Sequence, residues 1–150
     1  GSKMHIRMGT EEDVPKIMPM LVEFYKNIAM NSPPLDPEIL VNDMFAIVKD
    51  GLLLIAETHD NKIAGLLSLV KGKFRHSSYE FIGDGDYYVA EKYRNSSAGV
   101  QLMKAAQVIA EEMGLPLLMS IVTGVDAKRK DAFYERTGMK YMGGMFSRGM

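Results

Sequence analysis

The sequence predicts an α/β (α+β) domain: a mixed, mostly antiparallel central sheet flanked by helices, in the order β-α-α-β-β-β-α-β-α-β. Three observations carry that prediction. Apolar residues recur at 3- and 4-residue steps over Ala98–Met113, the mark of a long amphipathic helix. Two apolar runs, Leu52–Thr58 and Ile63–Val70, are joined by the tight turn His59–Lys62, which reads as a hairpin. A strand ending at Val89 then passes through a small-residue loop into the long helix and on to another apolar run, a βαβ unit.

Taken in order, His5–Met8 alternates weakly and reads as a first strand. Thr10–Asp13 resembles a capping box, and its acidic residues suit the positive end of a helix dipole. Pro15 falls early enough in that helix to be tolerated. Val14, Ile17/Met18, Leu21, Phe24/Tyr25 and Ile28 form one face running to about Met30, and Asn31–Pro34 must break it. A second helix over about Asp36–Lys49 buries Ile39/Leu40, Met44, Ile47 and Val48 and ends at Gly51.

After the hairpin, Lys71–Ser78 reads as a polar, basic linker, and Tyr79–Val89 as the third long strand. Gly83-Asp84-Gly85-Asp86 interrupts that strand, which implies a bend or bulge. In the long helix Ala98, Leu102, Ala105/Ala106, Ile109 and Met113 make the apolar stripe, and Gly114 and Pro116 stop it. Leu117–Val122 is then a short buried strand. Thr123–Asp126 leads into a helix to about Thr137, closed by Gly138, and Met139–Phe146 is the last strand.

Composition narrows the function classes. A length of 150 residues suits one domain, taken as 4–150, with Gly1–Lys3 ahead of Met4 reading as a tag remnant. The net charge of −1 gives no electrostatic support to nucleic-acid or membrane-surface binding. With no cysteine there can be no disulfide, zinc–thiolate site or thiol nucleophile. No apolar run reaches the roughly 20 residues of a membrane span and no signal peptide is evident, so the expected location is cytoplasmic. His5, His59 and His76 lack ligand spacing, so no metal is expected, and no G-x-S-x-G elbow is present.

The stretch Tyr87–Gly114 is the most informative. Its polar loop carries Arg94 and the small residues Ser96–Gly99, directly ahead of the long helix. A helix N-terminus offers free backbone N–H groups and positive dipole charge, a ready site for an anion, above all a phosphate. A plain crossover, with small residues that only permit close packing, fits the spacing equally well. The residue order adds to this. Val89-Ala-Glu-Lys-Tyr93-Arg94-Asn95-Ser96-Ser97-Ala98-Gly99 resembles the acetyl-CoA signature of the GNAT N-acetyltransferase superfamily, V-x-P-x-Y-R-x-x-G-x-G/A. Val89, Tyr93, Arg94 and Gly99 match; Ala90–Glu91 carries no proline, and Ser97 stands where the first glycine is usual. Ala132–Tyr141 resembles the superfamily segment A-x-x-F-Y-E-K-x-G-F, and the element order is that of the GNAT fold.

The resemblance implies an N-acetyltransferase that moves an acetyl group from acetyl-CoA to a primary amine, carried by a small molecule or a peptide. It implies direct attack, a co-substrate held by Tyr88, Val89, Arg94, Asn95, Ser96, Ser97, Ala98, Gly99 and Val100, no metal, and a homodimer as one assembly. Tyr134 maps onto the tyrosine that protonates the leaving thiolate, against a reading in which it only packs the helix on the sheet. Glu80, Asp84 and Asp86 are candidate general bases, with Asp84 and Asp86 nearest the expected cleft, against a reading of the two as turn aspartates bonded to their own backbone. Asp126 reads as a helix N-cap beside Ala127, where relatives place asparagine, and Lys128–Lys130 as a solvated face or a phosphate contact. A domain of the same fold that binds acyl-CoA or a partner without turnover is the alternative, consistent with Ser97 and Ala127.

Overall fold

The computed structural model describes residues 4–26, 33–120, 134–143 and 148. Five strands form one sheet in spatial order β1-β2-β3-β4-β5: His5–Met8, Leu53–Glu57, Ile63–Lys73, Glu80–Val89 and Leu117–Leu118. The first four pair antiparallel, and β5 joins β4 in parallel, as a crossover through a helix requires. Helices α1 (Asp13–Lys26) and α2 (Pro37–Lys49) precede β2, and α3 (Ala98–Met113) links β4 to β5.

The sheet divides the apolar core in two. Leu53, Ile55 and Leu66 face Val14, Ile17, Leu21, Leu40 and Met44 of α1 and α2. Leu54, Ala56, Leu67, Leu69 and Ile82 face Ala98, Leu102, Ala106 and Ala110 of α3. Alternation along β2 does this directly, because successive side chains of a strand point to opposite faces. The alanine-rich stripe of α3 lets its backbone lie close to the sheet, and each fully buried leucine contributes about 1.5–3 kcal/mol.

Local sequence explains the ends of the elements. The Asp36 carboxylate accepts from the N–H groups of Glu38 (3.1 Å) and Ile39 (3.4 Å), capping α2. Gly114, at φ 67°, takes the left-handed conformation that closes α3. The turn of the β2–β3 hairpin places Asn61 at φ 65°, a value asparagine tolerates. α1 contains Pro19, which supplies no N–H to the helix, so the apolar stripe packed on the sheet must hold this helix together.

Several expectations need adjustment. Ile39 and Met113, placed on apolar helix faces, are 67% and 41% exposed, because they lie at the margins of those faces near the helix ends. β3 continues to Lys73 rather than ending at Val70, because Lys71–Lys73 pair with Glu80–Ile82 and the Phe81 ring lies over Gly72. Toward the C-terminus, a helical turn at Tyr134–Arg136 is present, whereas Met139–Gly143 take no part in the sheet. The rest of the predicted last strand and most of the preceding helix, with Asp126, Ala127, Lys128–Lys130 and Phe133, lie outside the described residues.

An ion cluster fastens β1 to α1. Arg7 donates to both carboxylate oxygens of Asp13 (2.7 and 2.8 Å) and to Glu57 across the β1–β2 pair (3.0 Å). Asp13 is 2% exposed, and the Arg7 hydrogen bonds hold its carboxyl down at about 2. A carboxyl depressed in the folded state adds stability that is present above its unfolded pKa and is lost as pH falls through the folded value. Asp13→Asn should therefore cost roughly 2 kcal/mol at pH 7. The gap between wild type and variant in urea unfolding should close between about pH 4 and pH 2. A gap independent of pH would show that the charge of Asp13 is not what fastens the helix.

Candidate active site

The site is built on β4. Opposite Ser68 of β3, β4 inserts an extra residue: Tyr87 pairs with Leu67 while Asp84 pairs with Leu69. This is the bulge expected from the two glycines. Gly85 is required by space, since a Cβ there would lie 2.6 Å from the Ser68 hydroxyl. That hydroxyl accepts from the Asp86 N–H at 2.7 Å, standing in for a ladder carbonyl.

The bulge changes the phase of the strand. Ile82, before it, faces α3; after it, Tyr87 and Val89 face α3. Asp86 and Tyr88 turn to the opposite face, where Asp86 meets Tyr25 and Tyr88 packs edge-on against Phe24 of α1. The two tyrosines therefore serve different sides of the sheet. The Tyr87 hydroxyl donates to the Gly99 carbonyl, and its ring stacks on Tyr134 with centroids 6.5 Å apart. Tyr88 lies under the Arg94 guanidinium, 5.6 Å from its ring centre.

β4 also loses a neighbour here. Its parallel ladder with β5 stops at Gly83 and Leu118. The next N–H that could extend it, from Ser120, donates to the Asp84 carboxylate instead (3.1 Å). From Asp84 to Val89 the strand has no partner on that side among the described residues. Among the described residues this leaves an opening in the sheet edge, bordered by the N-terminus of α3.

Of the predicted anion-binding loop, Glu91–Tyr93 forms a short 3-10 turn and Arg94 donates to the Val89 carbonyl (3.1 Å). Asn95 is exposed. The Ser96 hydroxyl accepts from the Ala98 N–H (3.2 Å), and Ser97 is held by Gln101 (2.7 Å). The N–H groups of Gly99 and Val100 make no hydrogen bond among the described residues and stay available for an anion. Ser97 has φ −80° and ψ 2°, a conformation any residue adopts, so this loop does not need the glycine usual at that position.

The two aspartates differ in setting. Burial raises the Asp84 carboxyl, opposed by the Ser120 N–H and hydroxyl. Burial also raises Asp86, which is 4% exposed; the Tyr25 hydroxyl, donating at 2.7 Å, pulls it down and the carboxylate of Asp43 pushes it up. Tyr25 is itself driven up, first by burial and then by Asp86. Sequence reasoning missed Tyr25, Ser68 and Asp43 as site residues. Tyr25 reads only as part of an apolar helix face, and its partner lies 61 residues away in the chain. Tyr134, beside Tyr87, joins the donor side, and Gln107 ties its turn to α3 through the Thr137 carbonyl (2.9 Å).

Among the described residues an open strand edge at a β-bulge thus lies beside a helix N-terminus with unpaired amides. The acetyltransferase (GNAT) family model matches residues 17–139. The chain belongs to the GNAT family. Solved GNAT-type structures share its fold across nearly the whole chain. A probable acetyltransferase aligns with a TM-score of 0.76 at 20% identity, covering 98% of this chain and 97% of that one. A predicted acetyltransferase from Clostridium acetobutylicum, solved with acetyl-CoA, gives 0.76 at 14% identity, covering 98% and 96%. Glucosamine-6-phosphate N-acetyltransferase from Arabidopsis thaliana gives 0.72 at 18% identity, covering 97% of both chains. A search of curated proteins gave no significant sequence match. Among the described residues no helix is long and apolar enough to cross a membrane, and no cluster of His, Asp and Glu could hold a metal.

The raised carboxyl of Asp86 makes a stability prediction. A folded-state pKa above the unfolded one means that ionising the group at neutral pH works against folding, a cost that vanishes once pH falls below the unfolded value. Asn in its place still accepts from Tyr25 and carries no charge. Asp86→Asn should melt at or above the wild-type temperature at pH 7, and the difference should disappear below about pH 4. A lower melting temperature at pH 7 would show that the carboxylate is a net stabiliser.

Proposed function

We propose that this GNAT-family protein transfers the acetyl group of acetyl-CoA to a primary amine by direct attack on the thioester. The observation that carries the reading is the convergence at the bulge. Free helix amides and Tyr134 lie on the α3 side of β4, and a buried carboxylate lies on the opposite side. The pyrophosphate would rest on the backbone of Asn95–Val100, where Gly99 and Val100 offer unpaired N–H groups, with Arg94 close by. The thioester would lie along Val89, which has no neighbour strand on that side among the described residues.

The amine attacks the carbonyl carbon, the N–C bond forms and the C–S bond breaks. The departing thiolate takes its proton from the Tyr134 hydroxyl, and the proton shed by nitrogen moves toward Asp86. Asp84 has a different assignment: its carboxylate is already engaged by Ser120 at the fork of the strands. Asp86 is therefore the base, and a chain without cysteine, which has no thiol nucleophile, fits a direct transfer.

Two substitutions test this. Gly99→Val crowds the amides that would meet the pyrophosphate, and acetyl-CoA affinity by calorimetry should fall more than about tenfold. Unchanged affinity in a folded variant would move the co-substrate elsewhere. Tyr134→Phe removes one hydroxyl and keeps the ring stacked on Tyr87, so the melting temperature and acetyl-CoA affinity should hold. Turnover should drop by about 10²–10⁴-fold, the usual range for a lost general acid. Normal turnover would make Tyr134 a packing residue. Wild-type protein that binds acetyl-CoA yet releases no thiol with any amine would instead be a non-catalytic binding domain.

A further inference from the structure

On the face of the sheet opposite α3, a cavity of about 590 Å³ opens between α1 and α2. Val22, Leu35, Ile39 and Leu40 give it apolar walls. Its charged groups are Asp36, Asp43 and Lys26, and Asp36 is engaged in capping α2. Tyr25 also lines it, and the Tyr25 hydroxyl donates to Asp86. Asp86, 4% exposed, is not part of the wall. Tyr25 is thus the described residue that both lines the cavity and hydrogen-bonds the buried carboxylate.

The geometry points to this cavity as the acceptor site, taking a primary amine that is cationic at rest and carried on an apolar body, with Tyr25 as the group that meets the nitrogen. This rests on the acetyl-transfer reading above. The apolar walls would hold the body of the acceptor, and the charge of the ammonium suits a cavity where Asp36 and Asp43 outnumber Lys26. A phosphorylated sugar amine would bring an anion to the same carboxylates and be disfavoured.

The proton accounting closes through Tyr25. The ammonium first loses one proton to water. On attack the N–C bond forms and the C–S bond breaks. The second nitrogen proton goes to the Tyr25 oxygen as its own hydroxyl proton passes to Asp86, and the thiolate takes the Tyr134 proton. Tyr25 stays neutral throughout, consistent with the burial and the Asp86 charge that hold its proton in place. The bulge contributes too: by accepting from the Asp86 N–H, Ser68 fixes the carboxylate against Tyr25 rather than against α3.

The test measures thiol release with 2-phenylethylamine, lysine and glucosamine 6-phosphate, in wild type and in Ile39→Arg, Asp43→Asn and Tyr25→Phe. Ile39 is 67% exposed, so its substitution should leave the fold intact and keeps the test decisive even if Tyr25→Phe unfolds. The expected result is the highest kcat/KM for 2-phenylethylamine. Ile39→Arg and Asp43→Asn should raise its KM about tenfold with kcat little changed, the mark of lost ground-state binding. Tyr25→Phe should lower kcat by about 10²-fold with acetyl-CoA affinity unchanged, which a merely structural tyrosine would not do. A faster reaction with either of the other amines, or a KM unmoved by Ile39→Arg and Asp43→Asn, would overturn the acceptor assignment while acetyl transfer stands. Acetyl-CoA binding without thiol release from any of a broad set of amines would overturn both.

Discussion

Two residues of β4 stand against one of β3 at Ser68, and most of what is distinctive about the molecule follows from that inserted residue. In a regular strand Asp86 would share a face with Ile82 and point at α3, while Tyr87 would point at α1 and α2. The bulge reverses this. It delivers a carboxylate to one side of the sheet and a tyrosine to the other within adjacent residues. Gly85 makes the arrangement sterically possible, and the Ser68 hydroxyl supplies the hydrogen bond that the broken ladder forfeits. No other position in the described sheet combines a phase change with a buried acid.

The architecture was legible in the sequence wherever a local rule acts alone. α3 begins at Ala98 and ends at Met113 as its apolar period and Gly114 require. The hairpin turn and the bulge were visible because Asn61, Gly83 and Gly85 are residues with few other reasons to sit where they do. β3 was read too short because Lys71 and Lys73 look like linker residues. In the folded sheet Lys71 instead pairs with Glu80 at 3.6 Å, and Gly72 leaves room for a ring from the next strand. A cross-strand neighbour made the strand, and no window on one strand contains that information.

The candidate site was legible only in part, for the same reason. The helix N-terminus at Ser96–Val100 could be found because anion binding is a property of one local segment. Asp84 and Asp86 could be nominated but not told apart. What separates them is Ser120 on one side and Tyr25 on the other, contacts that span 36 and 61 residues. Tyr25 carried no signal at all. At helical spacing beside Phe24 it is an apolar position like any other, and only the fold gives its hydroxyl a partner.

The paired aspartates have separate structural settings on the same strand. A continuous sheet separates its faces, since neighbouring strands lie only about 4.7–4.9 Å apart and hydrogen bonds close the gap between them. Molecules bound on opposite faces can meet only where a strand has lost its neighbour. Asp84 helps to make that place, because its carboxylate takes the Ser120 N–H that would otherwise continue the β4–β5 ladder. Asp86, past the bulge, sets a carboxylate against the Tyr25 hydroxyl on one side of the same stretch of strand. Both carboxyls are raised by burial, a state that opposes folding at neutral pH. The fold bears that opposition through the two apolar cores packed on either face of the strands beside it. The ion cluster of Arg7, Asp13 and Glu57 lies on the far edge of the sheet, where charge stabilises rather than strains. The Arg7 ion cluster thus sits with β1 and β2, and the carboxyls raised by burial sit on the strand that the bulge has set apart.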